Sequence, residues 1–186
     1  MSLLATFSSA LEARDPYLRG HSARVTSFAE GLAGAIGWKG RRLDALRLGG
    51  SLHDVGKITI DAGILQKPGP LTQTELTQIR SHPEAGARLI EGVVDLQPAL
   101  PYVLHHHERW DGEGYPHRLG GERIPLGARV LGIADAFDAM TSLRPYRPAL
   151  TTEQALAELE RCAGTQFDPR LAETFVLGWR RGAIAA

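Results

Sequence analysis

Apolar residues recur at three- and four-residue steps along nearly all of the 186-residue chain, which is the spacing of one buried helix face. Leu3, Leu4, Phe7 and Leu11 form the first such stripe. Asp15-Pro16 reads as an N-cap and first helical residue. The helix it opens carries His21, Val25, Phe28, Ala29, Leu32 and Ile36 at helical steps, and Gly37 ends it. Leu43, Leu46, Leu48 and Leu52 mark a third helix that runs into His53-Asp54 and closes at Gly56. Residues 58–70 read as a glycine- and proline-rich loop, in which Ile58-Thr59-Ile60 is a short run able to pair as a strand. Thr72 and Glu75 form a capping box for a helix toward Ser81. Pro83 starts another, reaching Ile90, and a helix over residues 98–108 delivers three consecutive histidines at its C-terminal end. A glycine-rich loop follows over residues 111–127. Residues 128–141 are apolar nearly all round, through Val130, Leu131, Ile133, Ala134, Phe137 and Met140, and predict a buried helix. Thr151 with Gln154, and Asp168 with Pro169, open the last two helices. No repeat, low-complexity tract or linker interrupts the pattern. The expectation is one all-α domain over residues 1–186, with an N-terminal helix at 1–14 and a helical core at 15–186.

Charge narrows the function. Lys plus Arg and Asp plus Glu number 21 each, so no global field draws the chain to nucleic acid or a membrane surface, and an anion would need a local site. Cys162 is the only cysteine, which excludes an internal disulfide and fits a reducing compartment. No apolar run approaches the roughly 18 residues of a membrane span and no signal-peptide pattern opens the chain. The expected location is cytoplasmic.

Several polar residues sit where burial demands a partner. His53 and Asp54 end an apolar helix, and adjacent helical residues point about 100° apart. They are either an ordinary polar pair or ligands to two metals bridged by the aspartate, and burying both without partners is costly. His21 lies on the apolar side of its helix, as a core histidine or a ligand. His82 precedes Pro83, as an N-cap or a ligand. Asp135 stands between Ala134 and Ala136 in the most apolar helix, where a carboxylate needs a cation or several donors. His105, His106 and His107 cannot all face one way, so two converge and one points off. Five histidines and two carboxylates on buried helical positions suit iron, manganese or zinc.

The segments "DPYLRGHSARV", "SLHDVGKITI", "ILQKPGPLTQTEL", "SHPEAGARLI", "HHERWDGEGYP", "IPLGARVLGIADAFDAMTS" and "RPYRPAL" occur in that order. Together they resemble the HD-GYP domain, a branch of the HD phosphohydrolase superfamily that hydrolyses the bacterial messenger cyclic di-GMP, over residues 15–176. The resemblance implies a single HD-type helical bundle with a bimetal centre in its core. It assigns His21, His53 and Asp135 to one ion, His82, His106 and His107 to the other, and Asp54 to both, leaving His105 spare. Some family members hold a third ion through a glutamate four residues before the first histidine. That position is Tyr17 here, one helical turn from His21 on the same face, so two ions are expected, iron first, then manganese, with zinc or nickel also accepted.

Two divalent ions against two aspartates leave surplus positive charge for a phosphodiester. A hydroxide held between the ions would attack, and Lys57, beside Asp54, would neutralise charge on the phosphate oxygens. Arg144 and Arg147, and the loop residues Gly114 and Tyr115, would contact substrate. Glu108 would hold a ligand histidine in place, and Trp110 and Tyr146 would anchor their loops. The implied reaction is hydrolysis of cyclic di-GMP to linear pGpG, and onward to GMP in some members. The alternatives are another cyclic dinucleotide, such as cyclic GMP-AMP, or a regulatory module docking diguanylate cyclase (GGDEF) domains through the Gly-Tyr-Pro loop. A fused sensory or receiver domain is a further implied partner.

Overall fold

The fold, a computed structural model, is described over residues 19–143 and 148–185. The stripe at residues 3–11, the Asp15-Pro16 start, Tyr17, Arg144, Tyr146 and Arg147 therefore lie outside the described residues. The described chain is all-α and forms a single domain. Its helices are α1 (His21–Ala35), α2 (Arg41–Leu52), α3 (Ala62–Leu65), α4 (Gln73–Arg80), α5 (His82–Ile90), α6 (Leu100–His105), α7 (Leu126–Thr141), α8 (Thr152–Arg161) and α9 (Pro169–Arg180). Short 3₁₀ helices at Val55–Thr59, Val94–Ala99 and Gly121–Arg123 join them.

Local sequence signals account for most boundaries. Thr72 accepts from the Glu75 amide while the Glu75 side chain accepts from Thr72, and Thr151 with Gln154 repeats the arrangement. Asp168 accepts from the amides of Arg170 and Leu171 ahead of Pro169. These bonds satisfy amides that a helix start leaves without partners. Gly37, at φ 83, supplies the left-handed residue expected after α1.

Four expectations change. The first described helix starts at His21, where Gly20 at φ 69 is its left-handed N-cap residue. Ile58-Thr59-Ile60 is in no strand among the described residues, since Val55–Thr59 is a 3₁₀ turn. The helix expected over 98–108 is only Leu100–His105, because Pro98 and Pro101 withhold amides and leave a 3₁₀ turn ahead of it. Gly56 does not adopt a left-handed cap. It is the place where α5 meets the Val55–Thr59 turn, and a Cβ there would stand 1.9 Å from the His82 carbonyl oxygen.

Two apolar groups result. The larger joins α1, α2, α7, α8 and α9, with Phe28 and Phe137 edge-to-face at 5.3 Å and Phe175 against both. The smaller packs Leu52, Val55, Ile90, Leu96 and Val103 between the end of α2, α5 and α6. Helices from both groups send their polar residues to the seam between them.

Candidate metal centre

Helix ends supply most of the polar residues at this seam. His21 is the first residue of α1, His53 and Asp54 follow the last of α2, His82 opens α5, and His106 and His107 leave α6. Only Asp135 comes from mid-helix, on α7. His53 keeps helical dihedrals while Asp54 turns to φ −95, ψ 2, so the pair can face two directions. His21, His53, Asp54, His82 and His106 are almost fully buried, and the Asp135 side chain keeps 19% exposure on a neighbouring cavity.

The structure brings all seven residues together in two groups. Asp54 Oδ2 lies 3.6 Å from Nε2 of both His21 and His53. Asp54 Oδ1 lies 3.3 Å from His82 Nε2. Asp135 Oδ1 sits 3.4 Å from His21 Nε2 and 4.0 Å from His53 Nε2. On the other side, His82 Nε2 meets His106 Nε2 at 3.3 Å, and the His107 ring is 5.0 Å from His82 and 4.1 Å from His106. Asp54 thus turns one oxygen to each group.

A test of fit comes from the far side of each ring. Nδ1 of His53, His82 and His106 donates at 2.8 Å to the carbonyl three residues earlier, at Gly50, Ile79 and Val103. Nδ1 of His21 donates to Asp138 Oδ2 at 2.7 Å. A neutral imidazole has one N–H, so each donation leaves a bare lone pair on Nε2. Lone pairs of His21 and His53 then face each other at 3.2 Å, and those of His82 and His106 at 3.3 Å. Such pairs gain nothing from each other and are satisfied by a cation between them. The buried His/Asp set fits a divalent metal site.

Electrostatics agree. Burial lowers His82 to about 4 and His107 to about 3, and holds His106 well below its usual value, so these rings stay neutral. Burial pulls His21 down too, but its bond to Asp138 and the charges of Asp135 and Asp54 outweigh that and raise it. Burial works to raise Asp54, yet Lys57 and then His53, His82 and His21 hold it well below the carboxylate range. The Lys57 ammonium donates to Asp54 Oδ2 at 2.6 Å.

One neighbour, Glu108, behaves differently from expectation. Glu108 is buried, but its oxygens accept from the loop amides of His117 and Leu119 at 2.7 and 3.0 Å. It holds the glycine-rich loop rather than any of the candidate ligands. Tyr115 folds inward, its ring 4.8 Å from His107 at 30°. Gly114 permits this, since a Cβ there would lie 2.3 Å from the Arg109 amide nitrogen. Trp110 anchors its loop as expected, through its amide to the Gln166 carbonyl and with Arg129 over its ring.

Sequence reasoning missed two residues. Asp138 is buried and receives His21 Nδ1 and the Arg24 guanidinium. Burial opposes its ionisation, but those two donors lower its pKa to about 2. Its three-residue step from Asp135 on an apolar helix was the available signal. Arg80 lies over Tyr115 at 5.6 Å and lines a cavity of about 310 Å³ together with His106, His107, Gly114 and Asp135. Among the described residues it has no carboxylate partner.

A family model described as an HD domain matches residues 5–171. The cyclic di-GMP phosphodiesterase response regulator RpfG of Xanthomonas campestris pv. campestris is 38% identical over 177 residues, covering 94% of this chain and 47% of its own length. The 3'3'-cGAMP-specific phosphodiesterase 2 of Vibrio cholerae is 37% identical over 179 residues, covering 95% of this chain and 34% of that protein. The chain thus spans half or less of these relatives. In fold it is similar to the crystal structure of a V. cholerae phosphodiesterase specific for cyclic GMP-AMP (V-cGAP3), with a TM-score of 0.70 at 19% identity over 99% of this chain and 50% of that one. No helix of the described residues is long and apolar enough to cross a membrane.

Proposed function

We propose that this chain, which belongs to the HD domain family, is the HD-GYP unit of a metal-dependent phosphodiesterase that hydrolyses cyclic di-GMP to linear pGpG. The observation that carries the reading is Asp54 turning one carboxylate oxygen to each of two histidine groups. His21, His53 and Asp135 would hold one ion and His82, His106 and His107 the other, with Asp54 shared. Iron is the first choice and manganese the next for such nitrogen and oxygen donors. When bound, a divalent pair supplies Lewis-acid polarisation of the phosphodiester and lowers the pKa of the attacking water.

The chain's own residues supply the rest. The Nδ1 bonds aim Nε2 of His53, His82 and His106, and burial keeps His82, His106 and His107 unprotonated at neutral pH. Lys57 sits against Asp54, within reach of charge building on the phosphate oxygens. Arg80 and Tyr115 wall the cavity beside His106 and His107. The guanidinium suits a phosphate or the edge of a guanine, and the backbone at Gly114 closes the same wall. Arg144 and Arg147 belong to the substrate contacts on sequence grounds. A cytoplasmic location and a fused sensory or receiver domain complete the proposal. Docking of a diguanylate cyclase domain through the loop is less supported, since Tyr115 is turned onto His107.

The near-equal identities of the cyclic di-GMP and cGAMP relatives favour testing both dinucleotides. Protein loaded anaerobically with iron or manganese is expected to convert cyclic di-GMP to pGpG, followed by chromatography, with 3'3'-cGAMP as the second substrate. Loaded protein that leaves both uncut refutes the catalytic reading. Asp54→Ala should lose both metal and turnover, and unchanged metal content would refute the shared-ligand assignment.

A further inference from the structure

A second cluster of side chains able to hold a metal is built on His105, the histidine of the three that the centre above does not use. His105 is the last residue of α6, Glu108 follows one turn later, and His117 lies in the loop beyond Tyr115 and Pro116. One donor atom from each of the three falls within 4.8 Å of the other two. We propose that His105, Glu108 and His117 bind one divalent transition-metal ion, zinc by their chemistry, which clips the Gly-Tyr-Pro loop to the end of α6.

Three observations carry this. First, the His105 and His117 rings stand 5.3 Å apart at 55°. The candidate ligand pairs of the main centre show the same geometry, His21–His53 at 5.2 Å and 59° and His82–His106 at 5.3 Å and 56°. An ion about 2.1 Å from a nitrogen of each ring, at a tetrahedral angle, places two imidazole centroids about 5 Å apart. Second, His105 Nδ1 is the only buried side-chain nitrogen or oxygen among the described residues without a hydrogen-bond partner. It faces Glu108 Oε1 at 3.7 Å, too long for a hydrogen bond and close to the roughly 3.4 Å edge of a tetrahedron built on such bonds. Third, Glu108 is a buried carboxylate that no Lys or Arg among the described residues pairs with. Its two amide bonds leave lone pairs free on both oxygens, so an ion would answer both the orphaned nitrogen and the uncompensated charge. Two histidines and one carboxylate form a zinc ligand set, and the exposed side of His117 leaves the fourth position to water.

The consequence is mechanical. Glu108 already ties the loop by its backbone, and an ion shared with His117 would tie it by a side chain as well, restraining the segment that seats Tyr115 on His107. The site is separate from the catalytic proposal, because none of its three ligands serves there.

The test compares wild type with His117→Ala, a change on an exposed side chain outside the main centre. Both proteins are loaded with Zn²⁺, freed of loose metal and analysed for zinc per chain. A parallel Co²⁺ titration is followed by visible absorption. The expected result is one ion per chain fewer in His117→Ala, with loss of one cobalt component and unchanged circular dichroism. Trypsin cleavage after Arg118 should slow with zinc in the wild type alone. Equal zinc contents and identical cobalt spectra in the two proteins would overturn the site, whatever the outcome at the main centre. Zinc that binds there without slowing cleavage would overturn the clip.

Discussion

Gly56→Ala tests whether the contact between α5 and the Val55–Thr59 turn sets the metal centre. A Cβ at position 56 would stand 1.9 Å from the His82 carbonyl oxygen and 2.5 Å from the Gly86 amide nitrogen. Both are backbone atoms, so no side-chain rotation relieves the clash. Ordinary contact needs about 3.5 Å, so the two segments must separate by about 1.5 Å. His82 begins α5 and Asp54 begins the turn, and their ligand atoms are 3.3 Å apart. Metal–ligand distances tolerate only about 0.2 Å, so a separation several times larger removes His82 from any shared ion. Overpacking of this kind costs about 1–3 kcal/mol, and at this chain length each kcal/mol lowers Tm by about 2–4 °C. The expected result is a Tm lower by about 2–12 °C and loss of the ion on the His82 side. The ion held by His21, His53 and Asp135 should be retained. Calorimetry and metal analysis of the purified variant measure both. Gly34→Ala is the control, because nothing lies within 4 Å of its Cβ, and it should hold both ions and gain up to about 1 kcal/mol of stability. Two ions retained in Gly56→Ala with no fall in Tm would refute the reasoning.

Acid should destabilise the metal-free chain. His82 titrates at about 4 and His107 at about 3 in the fold, against about 6.5 unfolded. The unfolded chain therefore binds protons first as pH falls, and stability is lost from about pH 6.5 downward, at up to about 1.4 kcal/mol per pH unit for each ring. The lowered pKa values of Asp54 and Asp135 extend the loss to lower pH, while the raised His21 opposes it. Urea unfolding of chelator-treated protein at pH 7 and pH 5 measures this, and equal stability would contradict it. Asp138→Ala removes the acceptor of His21 Nδ1 and leaves Arg24 without that carboxylate. Metal affinity by calorimetry should fall by about 10–100-fold, with Asp138→Asn milder because its amide oxygen can still accept; unchanged affinity in Asp138→Ala would rule out the positioning role.

What the sequence disclosed divides along the range of the interactions involved. The capping pairs Thr72–Glu75 and Thr151–Gln154 lie within one turn, so their spacing alone located two helix starts. Asp135 declared itself because a carboxylate between two alanines in an apolar helix has to be compensated. The division of the seven residues into two groups came from family resemblance, and residue spacing alone could not have supplied it. Asp138 looks like any helical acid until His21, 117 residues away, is brought beside it. Gly56 resembles a helix cap locally, and only the packing of α5 reveals why a side chain is excluded. Glu108 stands next to two candidate ligands, yet the turn after α6 carries it toward the loop amides instead. Gly20 sets the start of α1 by a left-handed dihedral that apolar spacing cannot register, because glycine is silent in a hydrophobic pattern.

The placement of the histidines at helix ends explains how one short domain can aim so many of them. The last carbonyls of a helix have no amide within the helix to bind. Gly50 and Val103 lie in the last turns of α2 and α6, and Ile79 in that of α4, and each receives Nδ1 from the histidine three residues on. One side of each ring therefore caps a helix C-terminus while the other presents Nε2 to the seam. The same bond selects the tautomer that a metal needs. It also brings the negative ends of three helices close to the rings, which adds to the preference for a cation there. Two carboxylates then suffice as charged ligands, because neutral rings supply the remaining donors. A site built this way would keep net positive charge when filled, and that surplus would suit the phosphodiester substrate proposed above.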